Sequence, residues 1–178
     1  MAADGCGRNM DGGAARPDNV RRVIGIDPGL ASTGFGIVDA FRGSCRMVGY
    51  GVIETPAHSP RGSRLQAIYE RLRAVINEFG PNEASMETLY FSRNVTSALC
   101  VAEARGVVTL CLAQCGIPLR EYSPTQIKQS VTGTAAADKQ LVEKYVQLLL
   151  KLKTAPRPDH AADALAGAIT HLHFSADA

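Results

Sequence analysis

Apolar positions fall into two rhythms along this chain. From Val23 to Glu54 they run in short blocks or alternate with small residues; from Leu65 onward they recur mostly every three or four residues. Val23-Ile24-Gly25-Ile26-Asp27 is a block of β-formers that ends on a carboxylate and is closed by Pro28 and Gly29. It reads as a buried strand with an acid at its carboxyl end. Thr33 to Val38 alternates small and large residues, predicting a second strand from about Gly34 to Ala40. Pro28 to Ala31 is then a tight hairpin in which Gly29 supplies a positive φ. Phe41-Arg42-Gly43-Ser44 turns the chain, and Cys45 to Glu54 returns as a third strand. Connections this short leave only antiparallel neighbours.

The rhythm then changes. Leu65, Ile68, Leu72, Val75, Ile76 and Phe79 predict a helix stopped by Gly80-Pro81, with Arg61, Arg64, Arg71 and Arg73 along its edge. Glu83 to Leu89 has weak strand propensity, but it follows a helix and a breaker. A right-handed crossover would lay it parallel beside the first strand, with Glu87 at its carboxyl end next to Asp27. Tyr90 to Asn94 is a loop, and Thr96 to Cys115 is a long apolar helix whose internal Gly106 points to close packing on a sheet. Ile117 to Tyr122 is a fifth strand. Ser123 caps a short helix with Pro124 in its first turn. Asp138 to Leu152 and His160 to His173 are further helices, separated by a Pro-rich loop from Thr154 to Asp159. The order predicts an α/β fold, a mixed five-stranded sheet with helices on both faces. Residues 1–20 lack apolar periodicity and read as a disordered leader before one domain at 21–175.

Composition narrows the class. A chain of 178 residues, 46% hydrophobic, can bury one full core. No apolar run reaches the ~20 residues of a membrane span, and the first residues lack the apolar centre of a secretion signal. The five cysteines, Cys6, Cys45, Cys100, Cys111 and Cys115, form no Cys-x-x-Cys pair. They fit small core residues in a reducing cytoplasm, the expected location. The net charge of +2 says little about partners. Its distribution says more: residues 120–157 carry seven bases against three acids. A solvated helix face would look the same.

The candidate chemistry gathers around Asp27. An aspartate before Pro-Gly is also what an ordinary turn residue looks like. The last helix opens Pro158-Asp159-His160-Ala161-Ala162-Asp163, with His160 and Asp163 on one face, Asp159 as the natural N-cap, and alanines that allow close packing on a sheet. Two strand-end acids and a His/Asp pair form a set of hard ligands suited to Mg²⁺ or Mn²⁺ rather than zinc. Two such ions can activate water and stabilise the leaving oxygen of a phosphodiester.

Gly25-Ile-Asp-Pro-Gly29, Thr33-Gly-Phe-Gly36, Glu87 with Tyr90-Phe91 and Asn94, Ala104-Arg-Gly106, Gln126-Ile-Lys-Gln129 and Ala161-Ala-Asp-Ala-Leu-Ala166 together resemble the RuvC family of Holliday-junction resolvases. The resemblance spans Arg22 to about His173. It implies an RNase H-like fold, a homodimer, and metal-dependent paired symmetric nicking of four-way DNA junctions in homologous recombination and DNA repair. It also implies 5′-phosphate and 3′-hydroxyl products, and a branch-migration complex of the RuvA–RuvB type as partner. The family's catalytic and metal-binding acids fall on Asp27, Glu87 and Asp163. Its fourth ligand, often Asp, falls on His160, with Asp159 beside it as the alternative. Lys128 and Lys139 match lysines that contact DNA phosphates, and Tyr90 matches an aromatic used near the crossover. Three other readings compete. An actin-like ATPase would need a second phosphate motif, which is absent from the sequence. A junction-binding module without catalysis would not need all four polar positions filled. Another RNase H-like nuclease, acting on RNA–DNA hybrids or as a small integrase, differs in substrate.

Overall fold

The computed structural model describes residues 7–8, 20–41, 43–89 and 95–174. Five strands form the body of the sheet: β2 (Arg21–Asp27), β3 (Ser32–Phe41), β4 (Ser44–Glu54), β5 (Glu83–Glu87) and β6 (Leu119–Tyr122). A two-residue strand, β1 (Gly7–Arg8), pairs with Tyr50 and Gly49 at the β4 edge. The order across the sheet is β1-β4-β3-β2-β5-β6. β2, β3 and β4 pair antiparallel, while β2–β5 and β5–β6 are parallel. The expected crossover is therefore present, and it sets Ile26 opposite Met86. Of the expected leader, Gly7, Arg8 and Val20 are among the described residues.

Helices cover both faces. α1 (Arg61–Phe79) and α2 (Val95–Gln114) pack on one, and α3 (Pro124–Thr132), α4 (Lys139–Leu149) and α5 (Asp159–Phe174) on the other. Strand alternation sorts β2 between these layers. Ile24 and Ile26 join Ile68, Leu72 and Leu112 under α1 and α2, whereas Val23 joins Leu165 and Ile169 of α5. Each such fully buried aliphatic contributes roughly 1.5–3 kcal/mol. Gly80 ends α1 in the left-handed conformation, its N–H donating to the Ile76 carbonyl. Ser123 and Gln126 close a reciprocal capping box on α3. No described helix is long and apolar enough to cross a membrane.

α5 sits unusually close to the sheet, because glycines lie beneath it. A Cβ on Gly25 would come 1.8 Å from the Ala164 carbonyl oxygen, and one on Gly34 would come 2.1 Å from that of His160. Ala164 and Ala168 meet Gly25 on the helix side, and Ala161 and Ala162 are buried in the same helix, in keeping with the close packing their run in the sequence predicted. Two glycine expectations are corrected. Gly29 is not among the residues with positive φ; a side chain there is excluded because its Cβ would meet the Ser32 carbonyl oxygen at 2.6 Å. Gly106 does not pack on the sheet: a Cβ there would meet nothing within 4 Å, and the residue is exposed.

From the amino ends of β2 and β5 a polar network joins four elements, β2, β5, β6 and α5. Arg21 donates to the Glu83 carboxylate at 2.9 and 2.8 Å, and His171 Nε2 lies 2.8 Å from it. The Tyr122 hydroxyl lies 2.9 Å from His171 Nδ1. The Arg21 hydrogen bonds, opposed by burial and aided by His171, hold the Glu83 carboxyl down at about 2. A depressed carboxyl stabilises the fold above its ordinary range, and that stability fades as pH falls toward the folded value. Glu83→Gln should therefore cost on the order of 2–3 kcal/mol at pH 7. Urea unfolding at pH 7 and pH 3 should show the gap to wild type narrowing in acid; a constant gap would contradict this account.

Candidate active site

Strand alternation carries Asp27 to the α5 face, two residues beyond Gly25. Likewise, Glu87 lies two beyond Ser85, whose hydroxyl is 3.4 Å from where a Cβ on Gly167 would lie. The parallel pairing of β2 and β5 brings both acids to the same end of the sheet. The hairpin after Asp27 is locked by Thr33, whose hydroxyl donates to the Gly29 carbonyl at 2.8 Å.

α5 brings the remaining groups. His160 Nδ1 lies 2.6 Å from Asp27 Oδ2. Asp27, His160 and Asp163 each offer a ligand atom within 4.8 Å of the others. Glu87 is not in that tight group. It lines one cavity with Asp27 and an adjoining one with Asp163, so it faces the cluster from β5. The geometry thus brings all four predicted residues to one cleft, three of them with ligand atoms within 4.8 Å of one another.

The charges crowd one another. Burial of the carboxyl group, then repulsion from Asp27 and Asp163, raises Glu87 above the usual carboxylate range, although the residue as a whole is exposed. Burial likewise raises Asp163, against the pull of the Lys139 ammonium. Lys139 Nζ lies 3.2 Å from Asp163 and 3.3 Å from Asp159. Acids that repel one another at close quarters form a site that gains from a bound cation. Carboxylate oxygens with one imidazole suit Mg²⁺ or Mn²⁺.

Asp159 does something other than what was expected. α5 begins at Asp159 itself, so this residue stands in the first turn rather than capping it. Its carboxylate pairs with Arg157 at 2.6 Å and with Lys139, away from Asp27. Lys128 lines the cleft with Glu87, Lys139 and Asp163. Tyr90 lies outside the described residues.

One residue at the site went unassigned. Arg105 of α2 donates to the Glu87 carbonyl oxygen and, at 2.6 Å, to the Glu121 carboxylate. It lines the cavity that Asp27 and Glu87 share. Its signal was the only basic residue in a 20-residue, mostly apolar helix.

The model of the family described as "Crossover junction endodeoxyribonuclease RuvC" matches residues 23–171. The RuvC of Treponema denticola is 52% identical over 152 residues, 85% of each chain. That of Treponema pallidum is 49% identical over 166 residues, 93% of this chain and 85% of its own. Among solved structures, Thermus thermophilus RuvC in complex with Holliday junction substrate superposes with a TM-score of 0.83 at 36% identity, covering 87% of this chain and 94% of that one. The yeast mitochondrial resolvase Ydc2, at 14% identity and a TM-score of 0.64, shares the fold. Sheet, helices and acidic cluster together define a nuclease of the RNase H-like class. Within that class the chain belongs to the RuvC family, the crossover junction endodeoxyribonucleases.

Proposed function

We propose that this protein resolves four-way DNA junctions by paired, symmetric nicks that leave 5′-phosphate and 3′-hydroxyl ends. The observation that carries this is the convergence of Asp27, His160, Asp163 and Glu87 on one cleft that also presents Lys128 and Lys139. Asp27, Glu87, Asp163 and His160 would hold two divalent ions, Mg²⁺ or Mn²⁺. When bound, such ions activate a water and neutralise charge on the leaving oxygen. Lys128 and Lys139 position phosphates without reading sequence. Lys139 is already drawn to Asp163, so a phosphate approaching that carboxylate meets a cation beside it. Tyr90 stacks on an unpaired base at the crossover.

Symmetric nicks on opposing strands call for two equivalent sites, hence a two-fold homodimer. α2 offers the surface: Leu99 and Leu110 are 55% and 53% exposed, and Gly106 between them leaves open space for a second backbone. A cytoplasmic location and a branch-migration complex of the RuvA–RuvB type as partner belong to the same reading.

The test is cleavage of a synthetic four-way junction beside a linear duplex and an RNA–DNA hybrid, in Mg²⁺ or Mn²⁺. Symmetric product pairs from the junction alone are expected; equal cutting of the hybrid would overturn the substrate assignment. Sedimentation should give a dimer at micromolar concentration. Leu110→Glu should give a monomer that no longer makes its nicks in pairs. A wild-type monomer, free and on the junction, would overturn the assembly.

A further inference from the structure

We infer that Arg105 is a positioning residue for the metal site, tying the carboxyl ends of β5 and β6 together so that Glu87 faces Asp27. Its side chain is only 12% exposed, in a helix whose one other charge is Glu103. Burying a guanidinium there is costly unless its donors are used. One end of the fork donates to the backbone carbonyl of Glu87, and the other to the carboxylate of Glu121 on the neighbouring strand. Glu87 and Tyr122 are register partners at the last pair of the β5–β6 ladder. Beyond them, the Thr88 N–H donating to the Tyr122 carbonyl is, among the described residues, the last backbone bond between these two segments. The strand end that carries Glu87 is therefore held on one side by β6 and across its terminal carbonyl by Arg105. The guanidinium also borders the cavity of about 180 Å³ that Asp27 and Glu87 share. Its planar fork reaches both partners at once through two nitrogens, whereas a lysine offers a single ammonium nitrogen.

This inference rests on the metal-dependent reading of the site, and metal binding can be measured without DNA. Mn²⁺ affinity of the full-length protein is read by the electron paramagnetic resonance signal of free Mn²⁺, for wild type, Arg105→Lys, Arg105→Ala and Glu121→Gln, each also in a Glu87→Gln background. Losing a partner that orients a metal ligand costs ~10–100-fold in metal affinity. Arg105→Lys should weaken Mn²⁺ binding by about 10-fold and Glu121→Gln by less. Both losses should vanish in the Glu87→Gln background, because the effect acts through that carboxylate. A general structural defect would persist there. Arg105→Lys binding Mn²⁺ within about twofold of wild type would overturn the proposal, as would an equal loss with and without Glu87. If Arg105→Ala fails to fold, the Lys and Glu121→Gln variants carry the test. Failure of wild type to cut the junction, with the Mn²⁺ pattern intact, would strike only the substrate assignment.

Discussion

Asp27→Asn, Glu87→Gln and Asp163→Asn should each reduce junction cleavage at least ~1000-fold, equivalent to about 4 kcal/mol of transition-state stabilisation. Junction affinity should change little, since affinity comes mainly from bases facing phosphates and these substitutions remove ligands for a cation. Gel-shift and cleavage assays on the same junction separate the two quantities. A variant that nicks at near wild-type rate would remove its residue from the site. Glu87→Gln carries a second expectation of opposite sign. Its carboxyl lies above the usual range in the fold, so the folded state gains stability as pH falls and forgoes it at neutral pH. The neutral amide avoids that penalty. In the presence of a chelator at pH 7, Glu87→Gln should melt above wild type, and the difference should shrink in acid. An inactive yet stabilised variant is what a functional carboxylate predicts; a destabilised one would mark a structural role.

The second large effect separates two neighbours on α5. His160 contacts Asp27, while Asp159 contacts Lys139 and Arg157. His160→Ala should lose at least ~100-fold in cleavage, about 2.7 kcal/mol. His160→Asp should restore an all-oxygen site and shift preference toward Mg²⁺. Asp159→Ala removes exposed ion pairs and should cost no more than about fivefold. Cleavage rates in Mg²⁺ and in Mn²⁺ give both comparisons. An inactive Asp159→Ala beside an active His160→Ala would reverse the assignment.

What was readable beforehand follows the range of the interactions. β2 declared itself through apolar residues ending on Asp27, a local pattern. β5 has poor propensity and was placed by topology: a helix between two strands made a parallel neighbour, and this put Glu87 beside Asp27. The alanines of α5 announced a close approach. Their partners, Gly25 and Gly34, carry no such mark, because a glycine in a strand acquires that meaning only when a helix lies over it. Gly106 misled for the same reason in reverse, since nothing among the described residues lies over it. The capping role read for Asp159 failed by a single residue, the usual uncertainty of a helix end. Arg105 was visible as a lone base in an apolar helix, but its partners sit on two strands distant in sequence.

The closeness of α5 to the sheet also sets when the protein can become a nuclease. Asp27 and His160 lie 133 residues apart in sequence, and both groups supplied by α5 come after every strand. At ~5–20 residues per second, synthesis from Glu87 to Asp163 takes roughly 4–15 s, during which the strand acids exist without their helical partners. On the proposed assignment, a nascent or partly unfolded chain whose α5 has not settled onto Gly25 and Gly34 lacks two of its four ligands and should not cut DNA.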